Sequence, residues 1–186
     1  MPRLSRFHEQ HPDIEVRVVS ALAPLTQTPE AFDVAIQTTG RPSGAARLVF
    51  TASDEVFPVC APGLLAEMPR PIPPADLSAF LLLSHRVLPQ DWMDWPEWFD
   101  AIGWRLPQDA RIVHFDSFPL VLQAAVAGQG IALGWRRTVT GLIDEGKLIR
   151  ASRRQFDGPR KFRSFAAHDG AITPKLKRFS IGCGRS

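Results

Sequence analysis

The stretch from Asp116 to Trp135, DSFPLVLQAAVAGQGIALGW, constrains the fold of this chain most. Asp116 or Ser117 can cap a helix, and either Gly128 or Gly130 can supply the left-handed turn that ends it. Between them, apolar residues recur at the i, i+3, i+4, i+7 and i+8 spacing of a half-buried helix: Phe118, Val121, Leu122, Ala125 and Val126. The run Ile131–Leu133 then predicts a buried strand. Helix, glycine turn and strand form half of an α/β unit, so we expect an α/β fold.

Other segments repeat this alternation of helix and strand. A first helix is indicated by apolar and aromatic residues at helical spacing before Pro12, namely Leu4, Phe7, His8 and His11. The alternation of Ile14, Val16 and Val18 with other residues predicts a strand over 14–19. Further strands are expected at FDVAI, at one or two places in RLVFTASDEVFPVCAP, and at FLLLSH (Phe80–His85).

The segment DWMDWPEWFDAIGW predicts an amphipathic helix. Trp92, Trp95, Phe99 and Ile102 fall on one helical stripe, with acidic residues elsewhere around the helix. The carboxylates could also suggest a metal site, but no histidine or further acidic cluster accompanies them, so packing is the favoured interpretation.

Composition excludes several classes of protein. With 186 residues the chain is long enough for one or two domains, and no apolar run approaches the ~20 residues of a membrane span. The first residues lack the apolar core of a secretory signal, so a cytoplasmic protein without membrane contact is expected. Cys60 and Cys183 have no metal-binding spacing, and no cofactor motif occurs. The net charge of +3 is mild, and the late basic residues are interpreted as a solvated face rather than a nucleic-acid surface.

Polar residues occur at corresponding places in several predicted units. Five of them directly follow predicted strands, namely Ser20, Gln37, Thr38, Ser84 and His85, and Asp116 and Ser117 begin a predicted helix. Small molecules bind open α/β sheets beyond the carboxyl ends of the strands, and helix amino termini attract anions. The pattern therefore favours a binding site over a catalytic one.

Several segments of the chain together resemble a known family. PRLSRFHEQHPDIEVRVV, FDVAI, VFPVCAP, DSFPLVLQAAVAGQGIALGW, EGKLIR and TPKLKRF occur in the order and spacing of the effector-binding domain of LysR-type transcriptional regulators. The tryptophan-rich segment and VCAP look most like the subgroup typified by the glycine-cleavage activator. The resemblance covers nearly the whole chain.

The resemblance implies two Rossmann-like subdomains, similar to type 2 periplasmic binding proteins, joined by two crossover strands mapped to Val56–Cys60 and Phe162–Ala167. Residues 1–60 plus 165–186 would form subdomain one, which lacks its first strand, and residues 61–164 subdomain two. A small-molecule effector, such as a carboxylate or amino acid, would bind in the interdomain cleft without a cofactor. The implied effector contacts are Ser20, Gln37, Thr38, Ser84, His85, Asp116, Ser117, Phe118 and Trp135.

The resemblance also implies self-association, and DNA binding through a separate domain. A homodimer or tetramer is expected, in which the first helix packs against a subdomain-two helix of the partner through Leu4, Phe7, His8, His11, Leu122 and Val126. The family's winged helix-turn-helix is absent here, so the chain is expected to be a truncated form that cannot bind DNA alone.

Two alternatives remain. A solute-binding protein would share the architecture but would carry a signal peptide. An enzyme is disfavoured: Ser84, His85 and Asp116 are the residue types of a hydrolase triad, but consecutive residues of a strand point to opposite faces, and no nucleophile-elbow or phosphate-binding motif occurs.

Overall fold

The computed structural model describes residues 2–19, 24–27, 32–38, 42–68, 70–87, 92–157 and 162–166. The chain divides into two compact units. Unit 1 comprises Met1–Gln37, Arg41–Phe50 and Arg163–Ser186, and unit 2 comprises Thr38–Gly40 and Thr51–Phe162. The chain therefore passes from one unit to the other after Phe50 and again after Phe162, whereas the sequence analysis expected the divisions after residues 60 and 164.

Unit 1 contains one helix and a three-stranded sheet among its described residues. Helix α1 spans Pro2–Gln10, as the spacing of its apolar residues predicts, and a short 3-10 helix spans Leu25–Gln27. The sheet has the order β1-β9-β2, with β1 at Val34–Thr38, β2 at Arg47–Ala52 and β9 at Phe162–Ala166.

The strand predicted over 14–19 is wrong. The structure assigns no strand to these residues, and Val16, Val18 and Val19 expose 42%, 61% and 50% of their surface. Alternation of apolar residues shows that a segment can form a strand, but a strand also requires a neighbour that supplies the hydrogen-bonding ladder. Residues 14–19 have no such neighbour among the described residues.

Unit 2 is built on a six-stranded mixed sheet, which confirms the expected α/β fold class. The order is β5-β4-β6-β3-β7, and β8 also pairs with β3. The strands are β3 at Glu55–Cys60, β4 at Leu82–His85, β5 at Ile112–Phe115, β6 at Ile131–Trp135, β7 at Ile149–Arg150 and β8 at Phe156–Asp157. Strand β4 runs parallel to β5 and β6, and β3 is antiparallel to its three neighbours.

Helices cover both faces of this sheet. Helices α3 (Phe118–Val126) and α4 (Arg136–Asp144) pack on one face, where Val121 and Val139 meet Val59 and Leu83. On the other face, strand residues form a second hydrophobic cluster. It includes residues of helix α2 (Trp95–Ala101) and of two 3-10 helices, Pro62–Leu65 and Pro74–Ala79. Because both faces are buried, the strands are almost continuously apolar, and all five residues of β6 are buried.

The crossover strand expected at Val56–Cys60 corresponds to β3, which the structure pairs within the sheet of unit 2. Its partners are β6, β7 and β8, and Val56 pairs with Trp135. Residues 56–60 are all buried there.

The opening stretch folds as a helix followed directly by a strand. Ser117 is the N-cap residue of α3, and Pro119 lies in its first turn. Gly128, at φ +75°, provides the left-handed turn after the helix, whereas Gly130 serves a different purpose. A Cβ atom at Gly130 would lie 2.3 Å from the carbonyl oxygen of Leu81, which accepts the Ile131 amide of β6. Gly130 thus allows β6 to start beside β4.

No helix within the described ranges combines the length and apolarity needed to cross a lipid bilayer.

We predict that Gly130→Ala destabilises the protein by about 2–3 kcal/mol, because the added methyl collides with backbone rather than with a side chain that can move. Gly141→Ala is the matched control: this glycine lies inside α4 with no atom within 4 Å of the added methyl, so we expect a gain of about 0.5–1 kcal/mol. Urea denaturation measures both changes. Equal stability of the two variants would contradict this account of the start of β6.

Candidate functional site

The candidate site lies at the carboxyl ends of β4 and β6 in unit 2. The chain leaves β4 through α2 toward β5 on one side of the sheet order, and leaves β6 through α4 toward β7 on the other. Adjacent parallel strands whose connections leave in opposite directions open a crevice between their ends. The fold therefore places a crevice beside Ser84, His85 and Trp135.

A depression lined by aromatic and apolar side chains occupies this place, and we call it the aromatic depression. It is shallow and open: its cavity volume is about 10 Å³, room for one water molecule, and the 270 Å³ of space between the surrounding atoms includes open solvent. Its lining is Leu83, Ser84, His85, Trp92, Met93, Phe118, Val121, Leu133 and Trp135. Of the predicted effector contacts, the structure thus brings together Ser84, His85, Phe118 and Trp135.

Four rings of the aromatic depression pack together, with that of Trp92 contacting the other three. The Trp92 ring centroid lies 5.3 Å from that of Trp135 in an edge-to-face contact and 5.5 Å from that of Phe118, with ring planes only 30° apart. His85 meets Trp92 and Phe118 edge to face, at 5.5 and 6.1 Å. Trp135 is buried beneath the others, whereas His85, Trp92 and Phe118 are half-buried and present part of their surface to the depression.

Ser84 and His85 differ in their surroundings because neighbouring residues of a strand alternate between faces. Ser84 exposes only 5% of its surface, and its hydroxyl makes no hydrogen bond with any residue that the structure describes. His85 is half-buried, and its Nδ1 atom is closed off from solvent. This alternation gives no support to a serine–histidine catalytic pair.

Trp92 is the principal site residue that the sequence analysis missed. It was placed on the helical stripe with Trp95, but α2 begins only at Trp95. Asp94 is the N-cap residue, and its side chain accepts a hydrogen bond of 2.9 Å from the Glu97 amide. The Asp-x-x-Glu spacing followed by an apolar run marks a helix start and could have corrected the boundary. Trp92, outside the helix, joins the aromatic depression instead.

Asp116 and Ser117 lie near this edge of the sheet but do not line the depression. Asp116 is exposed. Ser117 is half-buried, and its side chain makes no capping hydrogen bond, although its carbonyl accepts the Leu120 and Val121 amides at 3.1 and 3.2 Å. The expectation that one of these side chains caps α3 is therefore wrong, because the amide that an N-cap side chain often bonds at the second helical position is absent at Pro119.

The remaining predicted contacts lie elsewhere. Gln37 belongs to β1 of unit 1, where its side chain accepts from the Leu25 amide and donates to the Pro42 carbonyl, both at 3.4 Å. Thr38 is the last residue of β1, and its side chain is outside the described structure, as is the whole of Ser20.

The predicted dimer residues lie on two helices. Leu4, Phe7 and His8 are on α1 of unit 1, and His11 follows that helix, with its ring centroid 5.0 Å from that of Phe7. Leu122 and Val126 are half-buried on α3, and Leu120 on the same helix exposes 47% of its surface.

A buried carboxylate fixes the helix that follows Trp135. Trp135 is the N-cap residue of α4 but has no capping oxygen in its side chain. Asp54, 5% exposed, serves instead: its oxygens accept from the Arg137 amide at 3.3 and 3.4 Å and from the Glu55 amide at 3.0 Å. Beside it, Arg136 pairs with Glu55, and Nε of Arg137 donates to the Ser53 carbonyl at 3.4 Å. These contacts hold the junction that positions Trp135.

Burial affects two titratable groups of unit 2. Desolvation raises the pKa of Asp54 above its ordinary value, against the lowering effect of the two amide hydrogen bonds. Burial likewise raises the pKa of the Cys60 thiol to about 11, so this cysteine is protonated and unreactive at neutral pH. In the described part of the chain, no three histidine, cysteine or acidic side chains come close enough together to hold a metal ion.

Comparison with known proteins identifies the architecture. The family model described as "LysR substrate binding domain" matches residues 1–180. The HTH-type transcriptional activator AmpR of Rhodobacter capsulatus is 34% identical over 152 residues, 81% of this chain and 49% of that protein. The glycine cleavage system transcriptional activator of Escherichia coli (strain K12) is 29% identical over 149 residues, 80% and 48% of the two. The chain thus spans about half the length of these relatives.

Solved structures agree with the sequence matches. The effector binding domain of Citrobacter freundii carrying three amino acid substitutions is 25% identical, with a TM-score of 0.73 over 96% of this chain and 87% of that chain. This similarity confirms the α/β fold of the periplasmic-binding-protein-like type.

We predict that Asp54 gives the protein a pH-dependent stability that Asp54→Asn removes. A carboxyl group whose folded pKa is raised contributes stability below its ordinary pKa, and this contribution is lost as the pH rises through the folded value. Asparagine keeps an acceptor for the Arg137 amide without a charge to bury. Urea denaturation from pH 3.5 to 7 should therefore show the Asn variant gaining stability relative to wild type as the pH rises.

Two further variants complete this test. Asp54→Ala removes the acceptor and should cost about 0.5–2 kcal/mol, as the loss of a helix cap does. Asp109→Asn, at an exposed position, is the control and should follow the wild-type pH profile. Parallel profiles for wild type and Asp54→Asn would contradict the role assigned to this carboxylate.

Proposed function

Because the chain belongs to the LysR substrate-binding-domain family, we propose that it is the ligand-sensing regulatory domain of a LysR-type transcriptional regulator and that it binds its effector at the aromatic depression. The observation that carries this proposal is the meeting of Ser84 with four rings at the carboxyl ends of β4 and β6. The relatives that match are named as transcriptional regulators, which favours ligand binding over catalytic turnover.

The effector is a small molecule, and a carboxylate or an amino acid is the class we propose. Helix α3 starts at Ser117 and Phe118. An anionic group bound at this start would be stabilised by the helix dipole, by about 0.3–1 kcal/mol at an exposed site. Asp116 is adjacent and exposed, and it favours the amino group of an amino acid over a second carboxylate. Ser20, Gln37 and Thr38 remain proposed effector contacts on the family resemblance alone.

The glycine-cleavage-activator-like subgroup is a finer assignment that we also propose. It rests on the tryptophan-rich segment and VCAP, and the glycine cleavage activator is among the matching relatives. The activators named AmpR match with comparable identity, so the subgroup does not by itself define the effector.

Regulation of DNA binding requires a longer protein than the residues described here. The relatives are about twice as long as the part that matches. We propose that effector binding changes how subunits associate and thereby how a linked helix-turn-helix domain meets its operator. Such a mechanism requires different affinities for the effector in two states, typically worth about 1–3 kcal/mol. A cytoplasmic location follows from this role.

We propose a homodimer, or a tetramer built from it, in which α1 of one subunit packs on α3 of its partner. The apolar surface of α3 supports this arrangement, since Leu120 is 47% exposed and Leu122 and Val126 are half-buried. On α1, Leu4 and Phe7 supply an apolar side, with His8 and His11 at its margin.

Calorimetric titration of the full chain with a panel of carboxylates, amino acids and amines tests the effector proposal. We expect at least one carboxylate or amino acid to bind, and Phe118→Ala to weaken its binding at least tenfold. Gln123→Ala, at an exposed position on the same helix, should leave affinity unchanged. Binding of none of these compounds to the folded chain would overturn the proposal, as would equal effects of the two substitutions.

Sedimentation equilibrium tests the dimer. Leu122→Lys places a charge on the proposed contact and should shift the chain to monomer, because a charge buried in an apolar interface is strongly unfavourable. Gln123→Lys adds the same charge one position along the helix, at an exposed residue, and should leave the dimer intact. A folded Leu122→Lys variant that dimerises as wild type does would exclude this interface.

A further inference from the structure

We infer that a planar, uncharged group of the effector packs over the aromatic depression, and that one polar atom of this group enters it and bonds to the Ser84 hydroxyl. The inference rests on the proposed function, since it assigns the chemistry of one part of the same ligand. It assigns the flat apolar part of the effector to the aromatic depression and any charged part of the effector to residues outside this depression.

The first argument is charge. Within the described residues, the lining contains no lysine, arginine, aspartate or glutamate. Its polar groups are the Ser84 hydroxyl, the His85 imidazole and two indole N–H groups. A charged group buried against such a lining would lose its hydration without gaining a partner of opposite charge. Asp91, next to Trp92 in sequence, lies outside the described residues, and Asp94 caps α2 and is absent from the lining. The group that enters is therefore neutral.

The second argument is shape. Trp92 and Phe118 are both half-buried, and their ring planes are tilted by only 30°. Part of each ring is exposed, and aromatic rings prefer offset-stacked or edge-to-face partners over random contact. Trp135 also lines the depression; it is nearly perpendicular to Trp92 and 2% exposed. A flat group fits these surfaces better than a puckered ring or a branched chain of the same volume.

The third argument is the hydroxyl of Ser84. Ser84 exposes 5% of its surface and lines the depression, and its hydroxyl has no hydrogen-bond partner among the described residues. Buried polar groups in folded proteins are nearly always satisfied. A donor or acceptor at the edge of the bound group supplies the missing partner, which would make Ser84 a specificity-determining residue.

Three probes of matched chemistry test the shape of the group: phenylacetate, cyclohexylacetate and acetate, each titrated into the full chain by ligand-observed NMR. We expect phenylacetate to bind at least fivefold more tightly than cyclohexylacetate, which carries the same carboxylate on a puckered ring, and acetate to bind most weakly. Tetramethylammonium tests the opposite chemistry, because an aromatic cluster can also hold a cation. Tetramethylammonium binding that competes with phenylacetate, or equal affinities for the two ring compounds, would overturn the inference.

Variants locate the binding. Trp92→Leu should weaken phenylacetate at least fivefold, whereas Trp104→Leu, at a tryptophan that is 41% exposed and outside the lining, should have no effect. At least one isomer of hydroxyphenylacetate should bind threefold or more tightly than phenylacetate. That advantage should disappear in Ser84→Ala but persist in Ser78→Ala, at a half-buried serine outside the lining whose hydroxyl donates to the Ala75 carbonyl. A persistent advantage in Ser84→Ala would exclude Ser84.

The outcomes separate this inference from the proposed function. If a carboxylate or amino acid binds and Phe118→Ala weakens it, but planar and puckered probes bind alike, the regulatory role stands and the inference fails. If no compound of either panel binds the folded chain, both fail.

Discussion

Two indole hydrogen bonds hold unit 2 together around its site. Trp95 and Trp98, both fully buried, donate their Nε1 protons to the carbonyl oxygens of Leu83 and Val56, at 3.0 and 3.1 Å. These oxygens belong to β4 and β3, so α2 is fixed to strands on either side of β6. Each bond satisfies a polar atom inside an apolar core, where an unsatisfied atom would cost about 1–3 kcal/mol. The position of Trp92, three residues before α2, depends on this anchoring.

Local pattern accounts for the parts of the fold that the sequence predicted. Helix α3, its glycine turn and β6 follow from apolar spacing and from Gly128, because each of these signals acts within a few residues. The segment 14–19 has an equally clear alternation, yet it forms no strand, since alternation carries no information about which neighbour is available. The cap that Asp54 provides to Arg137 joins residues 83 positions apart, and neither residue shows a local sign of it.

The site residues that lie at the ends of strands were predictable from the sequence. Ser84 and His85 could be found because binding residues follow the carboxyl ends of parallel strands, whereas Trp135 was implied only by the family resemblance. Trp92 could not be found by the same rule, since it follows no strand, and its regular spacing with Trp95 concealed the helix boundary at Asp94. Asp116 also follows a strand, β5, but its side chain is exposed. The position of a residue in a loop does not determine which way its side chain faces.

The contact between Asp54 and Arg137 has a consequence for protein engineering. Asp54 and Ser53 lie just after the chain enters unit 2, and both make hydrogen bonds to α4. A fragment of unit 2 that begins at β3 would lack the Ser53 and Asp54 oxygens, which accept hydrogen bonds from Arg137 at the start of α4. Excision of unit 2 for crystallisation or biosensor use should therefore keep the chain from Thr51 onward, including the residues that precede β3.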